Sequence, residues 1–294
     1  MGWRTVVISS RVKLELKLNY LVIRGEVEKK IFLDEIDVLM IENTAVSLTC
    51  SLLHALLERK INVIFCDNKR LPYASLIALY GSFDASDMIR KQIAWTEYKK
   101  KLIWTEIVRE KILNQAALLA HYGFNESCKK LIHYSEELQF GDETNREGHA
   151  AKVYFNTLFG NAFSRGQETK INAGLNYGYQ VILSCVSRDI VANGFLTSLG
   201  IFHSNTFNYF NLASDLMEPF RPIVDQFVLK MPLDEDEELT PENKKCILKM
   251  LETTVYIDNA KRNLLDAIMI YTRCALNAIC DGDVSDLRFF RYEF

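Results

Sequence analysis

Residues 12–18 read Val-Lys-Leu-Glu-Leu-Lys-Leu, an apolar side chain at every second position with a charge between each pair. Successive side chains on a strand point to opposite faces, so this stretch reads as a β-strand with one face buried and one in water. The pattern extends outward through Tyr20–Arg24, 27–33 and 36–42, with Gly25 and the pair Asp34-Glu35 between runs where turns belong. Antiparallel strands are therefore expected from residue 4 to about 42. Residues 47–60 follow as a helix, with Ser47 as N-cap and Leu48, Leu52, Leu53, Leu56 and Leu57 on one face. Asn62–Cys66 then reads as a buried strand closing a small β-rich unit.

Beyond residue 80 the period changes from two to 3.6, and long helical segments are expected at about 85–121, 124–138, 145–165, 170–199 and 243–281. Pro72 and Gly81 punctuate the change. The expectation is an α+β chain: a β-rich N-terminal domain over 1–74, a linker over 75–84 and a larger all-helical domain over 85–294. At 294 residues and 49% hydrophobic content, the chain can fill two cores. The acidic run 234–238 reads as a solvated loop before a helix, with a regulatory or partner-binding role as the alternative.

Several function classes lose support at this stage. Seven cysteines, an odd number without a C-x-x-C pair, lie mostly in apolar runs and read as reduced core residues of a cytoplasmic protein rather than zinc ligands. No segment reaches 18 uninterrupted apolar residues and the first ten residues lack a signal-peptide pattern, so neither export nor membrane insertion is expected. The phosphate loop G-x-x-x-x-G-K-[S/T], the nucleophile elbow G-x-S-x-G and the zinc helix H-E-x-x-H are missing. A net charge of −3 means that binding to nucleic acid would need a local basic surface. Residues 90–111 supply Arg90, Lys91, Lys99, Lys100, Lys101, Arg109 and Lys111 among Trp95, Tyr98 and Trp104. That helix reads either as a track for phosphates and frayed bases or, the reading pattern favours, as an amphipathic helix with inward aromatics and solvated lysines.

What remains is carboxylate and imidazole chemistry. Residues 203–225 hold His203, Asp215, Glu218, Arg221 and Asp225 among aromatics and asparagines, a donor set suited to a divalent ion. Each member also has a structural reading. Asp215-x-x-Glu218 resembles a capping box, Glu218-Pro219 resembles a helix start, and His203 in apolar company reads as a core histidine. In Arg146-Glu147-Gly148-His149-Ala150-Ala151, Glu147 is either a first-turn acid favoured by the helix dipole or a carboxylate aimed into a cleft, where small neighbours admit another element.

At these residues the sequence resembles the CRISPR-associated integrase family, the metal-dependent nuclease that inserts new spacers during CRISPR adaptation. The motifs carrying the resemblance are Glu147 in Glu-Gly-His-Ala-Ala-Lys-Val-Tyr-Phe, Asn176-Tyr-Gly-Tyr, Gly200-Ile-Phe-His203, and 212–225, Leu-Ala-Ser-Asp-Leu-Met-Glu-Pro-Phe-Arg-Pro-Ile-Val-Asp. Wording and length look most like the type II branch, found beside a single-protein RNA-guided effector nuclease.

The resemblance implies that Glu147, His203 and Glu218 coordinate one Mg²⁺ or Mn²⁺, with Asp215 lending charge beside them. Many relatives carry Asp at the place of Glu218, which keeps a hard oxygen ligand but changes its reach. It further implies double-stranded protospacer DNA and CRISPR repeat DNA as substrates, and a homodimer formed through the N-terminal domain. The implied partners are a small ferredoxin-like adaptation protein and, in this branch, the effector nuclease and a ring-shaped DNA-end-binding protein. A non-catalytic DNA-binding scaffold and a general branched-DNA endonuclease are the competing readings.

Overall fold

The N-terminal strands form two four-stranded sheets. One contains, in spatial order, β1 (Arg4–Ile8), β5 (Ile36–Ile41), β7 (Asn62–Cys66) and β8 (Pro72–Leu76); the other contains β4 (Lys29–Phe32), β3 (Tyr20–Arg24), β2 (Lys13–Lys17) and β6 (Ser47–Leu48). The alternating stretch does pair antiparallel as β2 with β3 and β3 with β4. Leu18, expected in the strand, instead forms the β2–β3 turn with Asn19, and both have positive φ, the geometry whose twist suits a two-residue hairpin.

The first sheet departs from the expected antiparallel pattern, because β1, β5 and β7 run parallel. Helix α1 (Cys50–Glu58) returns the chain from the end of β5 to the start of β7, and such a crossover makes strands parallel. Strand β5 is accordingly buried at all six positions, and apart from Asp37 its residues are apolar, so both faces carry buried side chains instead of alternating. The N-cap of α1 is Thr49, whose hydroxyl accepts from the Leu52 amide; Ser47 belongs to β6. Leu14, Leu21, Leu39, Leu52, Leu56 and Val63 are fully buried in the shared core, each stabilising by roughly 2 kcal/mol.

The computed structural model describes residues 2–79, 82–232 and 238–294, and the chain divides into units Met1–Phe83 and Asp84–Phe294. Strand β8 carries the first unit past residue 74. Residues 234–237 of the acidic run lie outside the described residues, so the loop expected there is not described.

The second unit holds α2 (Ala85–Ile93), α3 (Glu97–His121), α4 (Asn125–Glu136), α5 (Arg146–Phe159), α6 (Lys170–Ala192), α7 (Asn211–Leu216), α8 (Arg221–Leu229), α9 (Pro241–Leu248) and α10 (Leu264–Asp281). Helix α3 packs against α4, α5, α7, α8 and α10, which explains why Ile103, Trp104, Ile107, Val108, Ile112 and Leu118 are buried along it. The segment expected as one helix over 85–121 breaks at Thr96, whose hydroxyl caps α3 by accepting from Lys99. The segment expected as helix over 243–281 contains a hairpin of β9 (Thr254–Ile257) and β10 (Ala260–Asn263). Its turn is Asp258-Asn259, both at positive φ, and its first strand is β-branched or aromatic at all four positions. The C-terminal residues pack on this unit: Arg291 exchanges backbone hydrogen bonds with Tyr256, Phe290 stacks on Phe220, and the Tyr292 hydroxyl donates to Gln226 at 2.6 Å.

Candidate active site

Helix α5 begins in a turn built to hold its first residues. Asn145 takes a left-handed conformation and its side chain accepts from the Gly148 amide, while the Asp142 carboxylate accepts from the amides of Arg146 (2.6 Å) and Glu147 (3.1 Å). A Cβ on Gly148 would lie 2.7 Å from Asn145 Oδ1, so the small residue serves the cap of its own helix rather than the approach of another element. Glu147 is thus a first-turn acid, as its position predicts. Its carboxylate also reaches across to Lys111 on α3, and Oε1 contacts the ammonium Nζ.

Lys111 bridges two carboxylates, because the same Nζ lies 2.5 Å from Glu218 Oε2. Glu218, 3% exposed, opens the turn between α7 and α8, where Pro219 follows and the Pro219 carbonyl accepts from Asn114 of α3. Arg221 Nε also lies 2.8 Å from Glu218 Oε2. Burial disfavours the charge on both Glu218 and Lys111, but their opposite charges and Arg221 outweigh it for Glu218, whose pKa falls, and the two glutamates outweigh it for Lys111, whose pKa rises. The Arg221 guanidinium stacks on Tyr179 of α6 at 4.5 Å. Behind it, buried Asp225 accepts from the hydroxyls of Tyr179 (2.5 Å) and Tyr154 (2.7 Å). Burial pushes the Asp225 carboxyl up to about 6 against the pull of those hydroxyls and Arg221.

His203 is held by Asp215. The buried carboxylate accepts from the backbone amides of Ile201, Phe202 and His203, and Oδ1 lies 2.6 Å from His203 Nδ1. The turn is tight and passes close to α7: a Cβ on Gly200 would lie 2.3 Å from the His203 carbonyl oxygen of the same turn and 2.8 Å from Asp215 Oδ2 on α7. Asp215 is therefore a clamp on the turn and the ring, a stronger role than lending charge nearby. That hydrogen bond is the main cause lifting the His203 pKa, and Glu218 and Glu147 are near enough to add to it. The Trp104 ring packs edge-on to the imidazole at 6.1 Å and face-to-face on Phe202 at 4.5 Å.

The four residues singled out from sequence thus come together as two joined pairs, Glu147–Lys111–Glu218 and His203–Asp215. Among the described residues, no three His, Cys, Asp or Glu side chains converge as a finished ligand set. The donor types nevertheless suit Mg²⁺ or Mn²⁺: two carboxylates already share one cationic group, and an imidazole fixed through Nδ1 keeps Nε2 for a ligand. Lys111 and Asp142 had no place in the sequence reading of the site, and Tyr179 entered it only as the last residue of the Asn176-Tyr-Gly-Tyr motif, without a role. The readable signal was Lys111 itself, in helical phase with Val108, Ile112 and Gln115, all buried.

The other cations of that helix do not form an open track. Lys100 pairs with Glu97, Lys101 with Glu143 and Arg109 with Glu106, and Lys99 reaches the Cys280 carbonyl. Trp95 and Trp104 are buried, while Tyr98 is exposed beside Phe140. This is the amphipathic arrangement.

Residues 5–259 match the family model for CRISPR associated protein Cas1. A CRISPR-associated endonuclease Cas1 from Neisseria meningitidis serogroup C (strain 8013) is 35% identical over 271 residues, covering 91% of this chain and 89% of that protein. Among solved structures, a casposase bound to integration product superposes with a TM-score of 0.75 at 17% identity, over 96% of this chain and 92% of that one. A chain of a Cas6-RT-Cas1–Cas2 complex superposes with a TM-score of 0.72 at 19% identity, over 97% of this chain, which spans 36% of that longer one. The structural likenesses show a common fold, and the family match covers most of the chain: it belongs to the Cas1 family of CRISPR-associated endonucleases.

Proposed function

We propose that this chain is a metal-dependent DNA strand transferase of CRISPR adaptation, joining the 3′-hydroxyl of a protospacer end to a phosphodiester at the leader–repeat boundary. The observation that carries this reading is the pairing of Glu147 with Glu218 through Lys111 while His203, held by Asp215, lies close enough to feel both carboxylates. In this reading Glu147, Glu218 and His203 Nε2 hold one Mg²⁺ or Mn²⁺. Such an ion, when bound, polarises the phosphoryl oxygen, sharpens the attacking hydroxyl and offsets the charge that develops in line.

The chain's own residues prepare that chemistry. Asp215 accepts a hydrogen bond from the Nδ1–H of His203, which fixes the tautomer that leaves a lone pair on Nε2. Arg221, backed by Tyr179, keeps Glu218 ionised although it is buried. Insertion of two ends at two sites calls for two active sites, so the reading includes a homodimer formed through the β unit. A small ferredoxin-like adaptation protein would bridge two such dimers, and the likeness to a chain of a Cas1–Cas2 complex supports that partner. In the type II branch, the effector nuclease and a ring-shaped DNA-end-binding protein join them. Among the described residues, no helix is long and apolar enough to cross a membrane.

Incubation of the protein with Mn²⁺ and a half-site DNA substrate tests the reading. Wild type is expected to yield joined strands, and His203→Ala, compared with wild type at a temperature where circular dichroism shows both folded, is expected to yield none. Cut but unjoined strands would leave a branched-DNA endonuclease, and binding without turnover would leave a scaffold.

A further inference from the structure

Lys111 is the charged group of the site to which the proposed reaction gives no part. Its stem leaves the buried face of α3, its side chain is 7% exposed, and its ammonium touches one oxygen of each of two carboxylates that come from different elements. We propose that Lys111 is a resident cation that holds Glu147 and Glu218 together in the metal-free protein and competes with the divalent ion for them. The inference rests on the metal-site reading above and concerns what limits occupancy of that site.

Three observations carry it. An ammonium and a hard divalent ion ask the same thing of a carboxylate, close approach to an oxygen stripped of water, so both cannot take the shared space between these two groups. Charge points the same way: the two glutamates are already balanced by the two cations Lys111 and Arg221, and a divalent ion approaches a cluster with no net charge of its own beyond Asp215. Spacing is the third. Ammonium–oxygen contacts are longer than the roughly 2.0–2.1 Å that Mg²⁺ requires, and with Lys111 in place no three donor side chains converge among the described residues. A lysine anchored on the central helix, rather than at the surface, cannot leave the site freely.

The test is Mn²⁺ binding to the full chain without DNA, read by calorimetry and by the metal-induced rise in Tm. Lys111→Met keeps the apolar stem and removes the charge. It is expected to bind Mn²⁺ about tenfold or more tightly than wild type, the direction set by removing a like charge a few ångströms from the ion. Its Tm should be lower without metal and should rise further than that of wild type on adding Mn²⁺. A purely structural lysine would lower Tm equally with and without metal and leave the affinity unchanged. Lys111→Arg, which keeps the charge, should retain the weak binding, and Lys111→Gln provides an uncharged variant able to hydrogen-bond. If either uncharged variant folds only when Mn²⁺ is present, that is the expected result in its strongest form. Unchanged or weaker affinity in both uncharged variants overturns the inference. Where wild type still binds Mn²⁺ and Glu218→Gln does not, that failure leaves the metal-site reading standing; where no protein in the series binds Mn²⁺, both fall.

Discussion

The two units bury different things. In the β unit the core is an apolar cluster of Leu14, Leu21, Leu39, Leu52, Leu56 and Val63, with Asp37, Glu42 and Asn62 as polar exceptions, and ion pairs such as Arg24–Glu15 and Arg4–Glu35 stay outside. The helical unit buries Lys111, Asp215, Glu218 and Asp225, each against specific partners. Apolar burial is non-directional and tolerates exchange among residues of similar volume. A buried charge is different: its desolvation can equal what its partner returns, so such groups add little net stability and removing one partner exposes the whole penalty. The first unit is held mainly by apolar packing, whereas the second adds a cluster of buried, mutually paired charges around Lys111 and Glu218 that apolar packing does not require.

The sharpest contrast is between Leu39→Ala and Asp215→Ala. Leu39 is fully buried in the β core, and its truncation should cost roughly 3 kcal/mol in denaturant unfolding, leaving strand transfer by the folded fraction at the wild-type rate. Asp215 accepts three backbone amides and orients His203. Its loss should cost a similar ~3 kcal/mol and also lower strand transfer about 100-fold or more, since the imidazole loses its tautomer and direction. Equal effects of both changes on transfer would erase the distinction between the units.

The same contrast explains what could be read in advance. The alternation of 12–18 and the period of the long helices report burial of one face, a local property, and they locate the β2–β4 meander and α3. Strand β5 hides its parallel pairing because a strand buried on both faces carries no alternation. The β9–β10 hairpin is hidden because its strands are only four residues each and lie between the helical runs of α9 and α10, although Thr254–Ile257 is strand-like in itself. At the site, Glu147, His203, Asp215 and Glu218 were legible through the wording of family motifs. Lys111 was not, since its partners lie 36 residues away at Glu147 and far beyond at Glu218, and periodicity says nothing of which buried face meets which. Asp225 was legible as an acid but not as the acceptor of two tyrosines from α5 and α6.

Asp225 provides a smaller test, read through pH. Its carboxyl, with a pKa pushed up to about 6, takes a proton more readily folded than unfolded. The sign follows: its contribution to stability is fully present below the unfolded pKa of about 4 and is lost as pH rises through 6. Wild type should therefore lose stability across that window relative to Asp225→Asn, by an amount of order 3 kcal/mol at most. Urea melts at pH 4 and pH 7 measure it. Parallel pH profiles for the two proteins would mean that Asp225 is not the strained group its burial makes it, and the helical unit would then look less unlike the β unit.

The smallest effect is expected at Arg24→Ala in the β unit. Arg24 Nε lies 2.5 Å from Glu15, a distance that matches the contacts around Lys111, yet the arginine side chain is half exposed and water and salt screen the pair. Lys13, 3.2 Å from the same glutamate, remains to accompany its charge. Thermal melts of Arg24→Ala and wild type should coincide within experimental error at 0.15 M salt, and any difference at low salt should vanish as salt is added. Lys111→Met should instead shift Tm whatever the concentration of monovalent salt, because Lys111 and Glu218 are buried and bulk salt screens a buried pair far less. A salt-insensitive loss at Arg24 would show that distance alone sets the strength of an ion pair here, and that burial does not separate the two units.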